Sequence, residues 1–146
     1  MKRILVACVV AVGLGLVAVA RMQAHHAFAA EFDPEKKVTL VGTVVQMEWV
    51  NPHSWLTLDV PDPEGKPEGK MDRWSLEFGP PNALFRRGWR KSSLMPGMKV
   101  TATGFLAKDG RKVANADKVT LPDGSIFGAG AAGTGAPNDP DAAPKQ

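Results

Sequence analysis

The sequence predicts a mainly β domain, a small OB-like five-stranded barrel with one short helix between strands three and four. Three observations predict it. Segments rich in β-branched or alternating apolar residues recur between clusters of turn residues. Their order, three strands, a helix and two strands within about a hundred residues, is that of an OB-like barrel with one modest core. Gly42 and Gly104 interrupt strand patterns, where glycine marks a bulge or the sharp coiling that closes a small barrel. An open sheet or a small sandwich with the helix laid across it is the competing arrangement.

The first segment is not part of that domain. Lys2 and Arg3 precede an apolar run from Ile4 to Ala20, followed by Arg21-Met22-Gln23-Ala24 and the pair His25-His26. This is the pattern of a secretory signal peptide, so residues 1–24 are expected to be removed and the protein to work in the periplasm or outside the cell. Cleavage after Ala20 would leave Arg21 as the new terminus, and cleavage after Ala24 would leave His25. Cys8 does not make a lipoprotein site, because only four apolar residues, Ile4 to Ala7, precede it. A retained anchor is the weaker reading, since the run is at the short end for spanning a bilayer. No stable membrane anchor is expected after cleavage.

Strand one, Val38 to Trp49, is β-branched and ends at the Asn51-Pro52 turn. Strand two, Ser54 to Val60, alternates strictly, with Trp55, Thr57 and Asp59 on the face opposite Leu56, Leu58 and Val60. A polar loop from Pro61 to Met71 leads to strand three, Arg73 to Phe78. Gly79-Pro80-Pro81 breaks the sheet, and Asn82 is the expected cap of a helix that Gly88 stops. Strand four runs from Lys99 to Leu106. Asp109-Gly110 is a tight-turn pair before strand five, Lys112 to Leu121. Pro122-Asp123-Gly124 then turns into a last apolar piece, Ile126-Phe127. The single domain is expected at residues 25–127, with a flexible Gly/Ala/Pro tail at residues 128–146.

The formal charge of +3 is accounted for by Lys2, Arg3 and Arg21; the remaining basic and acidic residues balance. The high pI therefore gives no reason to expect nucleic acid as a partner. Cys8, the only cysteine, leaves with the leader, which excludes disulfides, thiolate metal sites and cysteine nucleophiles in the mature domain. No nucleophile-elbow serine and no phosphate-cradling glycine loop is present, so an enzyme is not expected.

Two groups of residues remain as candidate sites. His25 and His26 stand at or near the mature terminus, and His53 follows the Asn51-Pro52 turn. If His25 is the first residue, its α-amine and imidazole, with His26 or His53, form a nitrogen-rich set that suits copper(II). The alternative is that these histidines are incidental and His53 only caps a turn. The second group is Phe85-Arg86-Arg87-Gly88-Trp89-Arg90-Lys91, where arginine interleaved with aromatic residues can clamp an anion or stack on a planar ligand. Trp55, Arg86, Arg87 and Trp89 are the ligand-binding candidates there, for an unidentified small ligand or periplasmic protein. The alternative is that Leu84, Phe85 and Trp89 plug one end of the barrel.

The stretches from His25 to Asp33, Gly42-Thr43-Val44, Glu48 to Trp55, Gly79 to Trp89 and Leu121 to Gly124 together resemble a family of small exported bacterial proteins classed as a domain of unknown function. The resemblance covers nearly all of the mature domain. It implies a His-His start directly after an alanine, hence cleavage after Ala24, and a Gram-negative periplasm. It implies no activity.

Overall fold

The structure is a computed structural model of the 146-residue chain, and it describes residues 28–62 and 69–130. The expected signal peptide, His25, His26 and the expected tail from residue 131 lie outside the described residues.

Residues 28–31 form a helical turn that leads into β1 (Phe32–Glu48). The strand starts at Phe32 rather than Val38. Pro34 has no N–H to donate to a ladder, and it falls where the register shifts between Phe32 and Lys37. The long strand serves two partners. Its earlier part pairs antiparallel with β4 (Lys99–Ala107) and its later part with β2 (Trp55–Pro61), with Thr43 facing Lys99 on one side and Asp59 on the other. The order continues with β3 (Met71–Glu77), helix α1 (Pro81–Arg86), β5 (Val113–Thr120) after β4, and β6 (Ile126–Gly128).

β2 and β3 pair antiparallel along their whole length, and β4 pairs antiparallel with β5 from Thr101 to Leu106. β3 and β5 then pair in parallel through Ser75↔Val113, Leu76↔Ala114 and Glu77↔Asn115. That ladder closes the hydrogen bonding of β1 to β5 into a ring and pairs the end of β3 that an open sheet would leave as a free edge, while β6 pairs with β5 alone. The expected five strands become six, because Ile126-Phe127-Gly128 pairs with β5.

Two further boundaries differ from expectation. Pro80, not Asn82, is the N-cap of α1, and Pro81 is its first residue. Proline suits that position because its φ is already helical and its missing N–H would have found no partner. Composition places the end of the domain at Phe127, yet Ala129 is buried, donates to the Asp117 carbonyl and accepts from the Gly79 N–H. A small residue is what a strand-edge position closed in by both segments can hold.

The inner face of the ring carries Leu40, Val44, Leu56, Leu58, Leu76, Val100, Ala102 and Val119, and α1 with its following loop adds Leu84, Trp89 and Leu94 to the same core. A separate cluster of Phe28, Phe32, Phe105 and Ala107 joins the N-terminal turn to β4. Gly42 and Gly104 sit where backbones approach closely. A Cβ at Gly104 would stand 2.4 Å from the Asn115 carbonyl oxygen, and one at Gly42 would stand 2.9 Å from that of Asp59. The register of β4 against β5 slips between Thr103 and Gly104, so this contact coincides with the bulge that coils the pair.

Gly104→Ala should therefore lower stability by roughly 2–3 kcal/mol, because the obstacle is backbone and cannot rotate away. Gly128→Ala meets nothing within 4 Å and should change stability by less than about 0.5 kcal/mol. Thermal or urea unfolding of the two variants checks the pair.

Candidate functional site

On the outer face of the ring, a histidine, His53, meets a buried carboxylate, Glu77. The alternation that puts Leu56 and Leu76 inside turns Trp55 and Glu77 outward, and these two face each other across β2 and β3. Glu77 in turn faces Asn115 on β5, and Asn115 faces Phe105 on β4. Glu48 on β1 lies opposite Trp55, so the two carboxylates Glu48 and Glu77 share a row but are separated by a strand.

Glu77 is 7% exposed although it faces outward, because Trp55 and Asn115 flank it and His53 lies against it. His53 Nδ1 stands 2.6 Å from Glu77 Oε1, and the histidine is itself half-buried. The turn that delivers His53 contains a cis Asn51–Pro52 bond, and Ser54 next to it bonds to Phe78 and Gly79 through its backbone. The hydrogen bond to Glu77 raises the pKa of His53 above 6.5; burial opposes the rise, and the charges of Glu77 and Glu31 add to it. With Nδ1–H given to the carboxylate, Nε2 is the ring nitrogen left to accept a proton or a ligand.

The N-terminal turn is anchored on the same face. Phe28 packs edge-on against Phe105 at a centroid distance of 5.6 Å. Lys108 donates its N–H to the Glu31 carbonyl and its ammonium to the Ala29 carbonyl, and Arg111 pairs with the Glu31 carboxylate at 3.0 Å. Phe105 and Glu77 are two strands apart, about 10 Å across the sheet. Asn115 stands between them, 4% exposed, and its side-chain oxygen has no hydrogen-bond partner among the described residues.

The four residues expected to hold a small ligand do not form one surface. Trp89 is fully buried, with its ring against Phe78 and Phe127 and its Nε1–H donating to the Gly128 carbonyl at 2.8 Å. It anchors β6 to the core and has no face to offer a ligand. Arg87 is half-buried and donates to the Gly130 carbonyl. Arg86 is exposed on α1, whereas Trp55 belongs to the β2 row beside Glu77. Of the three candidate metal ligands, only His53 lies among the described residues. No group of three or more His, Cys, Asp or Glu that could hold a metal ion occurs among those residues, so a metal at His53 requires donors from elsewhere in the chain.

The sequence alone does not connect Glu77 to His53. The available signal was a carboxylate on the outward face of a strand whose neighbour begins directly after a histidine turn. Asn115 gave no signal, since its burial depends on the parallel pairing of β3 with β5. Residues 14–116 match the model described as a family of unknown function (DUF6152). No curated protein and no solved structure matches.

The His53 ring should titrate with a midpoint above 6.5, and Glu77→Gln should bring it down; an NMR pH titration of its ring protons reads both. By linkage, the contact contributes its full stability below pH 6.5 and loses it as the pH rises through the elevated pKa. Trp89→Ala should cost about 3–5 kcal/mol in unfolding experiments, as expected of a core aromatic rather than a ligand contact.

Proposed function

The chain belongs to the DUF6152 family, and we propose that it is an exported, non-catalytic binding module whose OB-like barrel holds copper(II) at His53 together with the mature N-terminus. The observation that carries this reading is the contact between His53 Nδ1 and the buried Glu77 carboxylate. Metal-ligating histidines typically donate their other ring N–H to a carboxylate, which fixes the tautomer and makes the ligating nitrogen more basic.

Chain length supports the donor set. Phe28 is seated on Phe105, on the face that carries Glu77 and His53. His26 and His25 precede Phe28 by two and three residues, a reach of about 7 and 10 Å in extended chain. Cleavage after Ala24 would add an α-amine to the imidazoles, and a set of nitrogens without thiolate favours copper(II) among the common divalent ions. The leader at residues 1–24 is the support for export to the periplasm. The rival reading, a small ligand held by Trp55, Arg86, Arg87 and Trp89, loses its central residue, because Trp89 is 0% exposed.

Calorimetric titration of copper(II) into the exported protein, with its N-terminus fixed by intact mass, tests the reading. A chain starting at His25 should bind one equivalent. His53→Ala should weaken binding at least tenfold, and Glu77→Gln by about 10–100-fold. One extra residue ahead of His25 should abolish tight binding by displacing the α-amine. Unchanged affinity in His53→Ala, or no stoichiometric binding by the His25 form, would refute it.

A further inference from the structure

Charge is unevenly spread over the domain. No Asp or Glu occurs between Glu77 and Asp109, a stretch that holds Arg86, Arg87, Arg90, Lys91, Lys99 and Lys108. Elsewhere most described cations have acidic partners: Lys36 with Asp33, Lys70 with Asp62, Arg73 with Asp59, Arg111 with Glu31 and Asp109, and Lys112 with Asp72. Around α1 they do not. Arg87 turns to the Gly130 carbonyl, and Arg90 donates to the carbonyls of Phe85 and Trp89, which satisfies backbone oxygens at the end of the helix but leaves its charge uncompensated. The side chains of Arg86 and Lys91 make no hydrogen bond or ion pair among the described residues.

Arg86, Arg90 and Lys91 line an open groove of about 510 Å³ together with Phe85. The Phe85 ring is 36% exposed and held flat by stacking on Trp49, at 5.1 Å between centroids and 23° between planes. Val50, next along the chain from Trp49, is 50% exposed. The result is a rigid aromatic floor with a cationic rim.

A compact ligand needs an enclosed cavity, and this groove is open. A bound peptide strand needs a free sheet edge, and none of the lining residues belongs to a strand. An anionic bilayer needs what the face provides: cations for lipid phosphates above an aromatic and aliphatic surface that can enter the headgroup layer. We propose that this face docks the domain peripherally on an anionic membrane surface, with Arg86, Arg90 and Lys91 against lipid phosphates and Phe85 and Val50 in the headgroup region. The docking is independent of the metal reading and requires no membrane-spanning segment.

Co-sedimentation of the full chain with phosphatidylcholine vesicles, with and without phosphatidylglycerol, tests it. Binding should require the anionic lipid and weaken with added salt. Arg86→Glu/Lys91→Glu should reduce partitioning roughly tenfold or more, with an unchanged melting temperature, because both side chains are exposed and unpartnered. Phe85→Ser should weaken binding without removing its dependence on lipid charge. A leader retained on the chain cannot mimic sensitivity to residues 86 and 91. Equal binding to both vesicle types, wild-type partitioning by the double variant, or binding to inorganic phosphate or an acidic peptide in place of vesicles would overturn the proposal.

Discussion

The parallel ladder between β3 and β5 is the constraint from which the rest of this structure follows. Three residue pairs close the ring, and closure sets which side chains share the outer face. It places Glu77 between Trp55 and Asn115, so a carboxylate that would be solvated on an edge strand becomes buried. A buried carboxylate must be hydrogen-bonded or lose its charge. His53 supplies that bond, and in doing so commits one ring nitrogen and leaves the other. The backbone approach at Gly104 belongs to the same constraint, since β5 can reach β3 only if β4 and β5 coil tightly at the bulge.

The N-terminal turn converts a structural contact into a candidate site. Phe28 and Phe32 form a cluster with Phe105 and Ala107 that is separate from the main core, and its position beside the Asn115–Glu77 row brings the start of the domain close to His53. Glu31 in that turn acts electrostatically on His53, which places both in one neighbourhood. The cationic face around α1 is a different region with different chemistry. Together the two proposals would have one molecule hold a cation near a negatively charged boundary.

Much of the fold was legible because its strands are half-buried and alternate. Leu56, Leu58 and Leu76 announce an inner face, and Gly42 and Gly104 mark the close approaches. The short helix is signalled by Gly79-Pro80-Pro81 before it and Gly88 after it. What remained hidden was non-local. The pairing of Ser75–Glu77 with Val113–Asn115 leaves no periodic trace, so the burial of Glu77 and Asn115 could not be read, nor could the bond from Glu77 to His53. The role of Trp89 was left open between ligand contact and barrel plug for a related reason. Its position in a basic segment suggests a ligand clamp, but its indole reaches the Gly128 carbonyl, 39 residues away in sequence. The start of β1 was obscured by Pro34, which a strand tolerates only at an irregularity such as this one.

The most direct test of the central claim is the electron paramagnetic resonance spectrum of the chain beginning at His25, loaded with one equivalent of copper(II), compared with that of His53→Ala. If His53 ligates through Nε2 while Glu77 holds Nδ1, the wild-type spectrum should show nitrogen-rich coordination and the variant should lose one imidazole nitrogen from its hyperfine pattern. Superimposable spectra from the two proteins would mean that His53 is not a ligand, and that its contact with Glu77 only neutralises a carboxylate buried by ring closure.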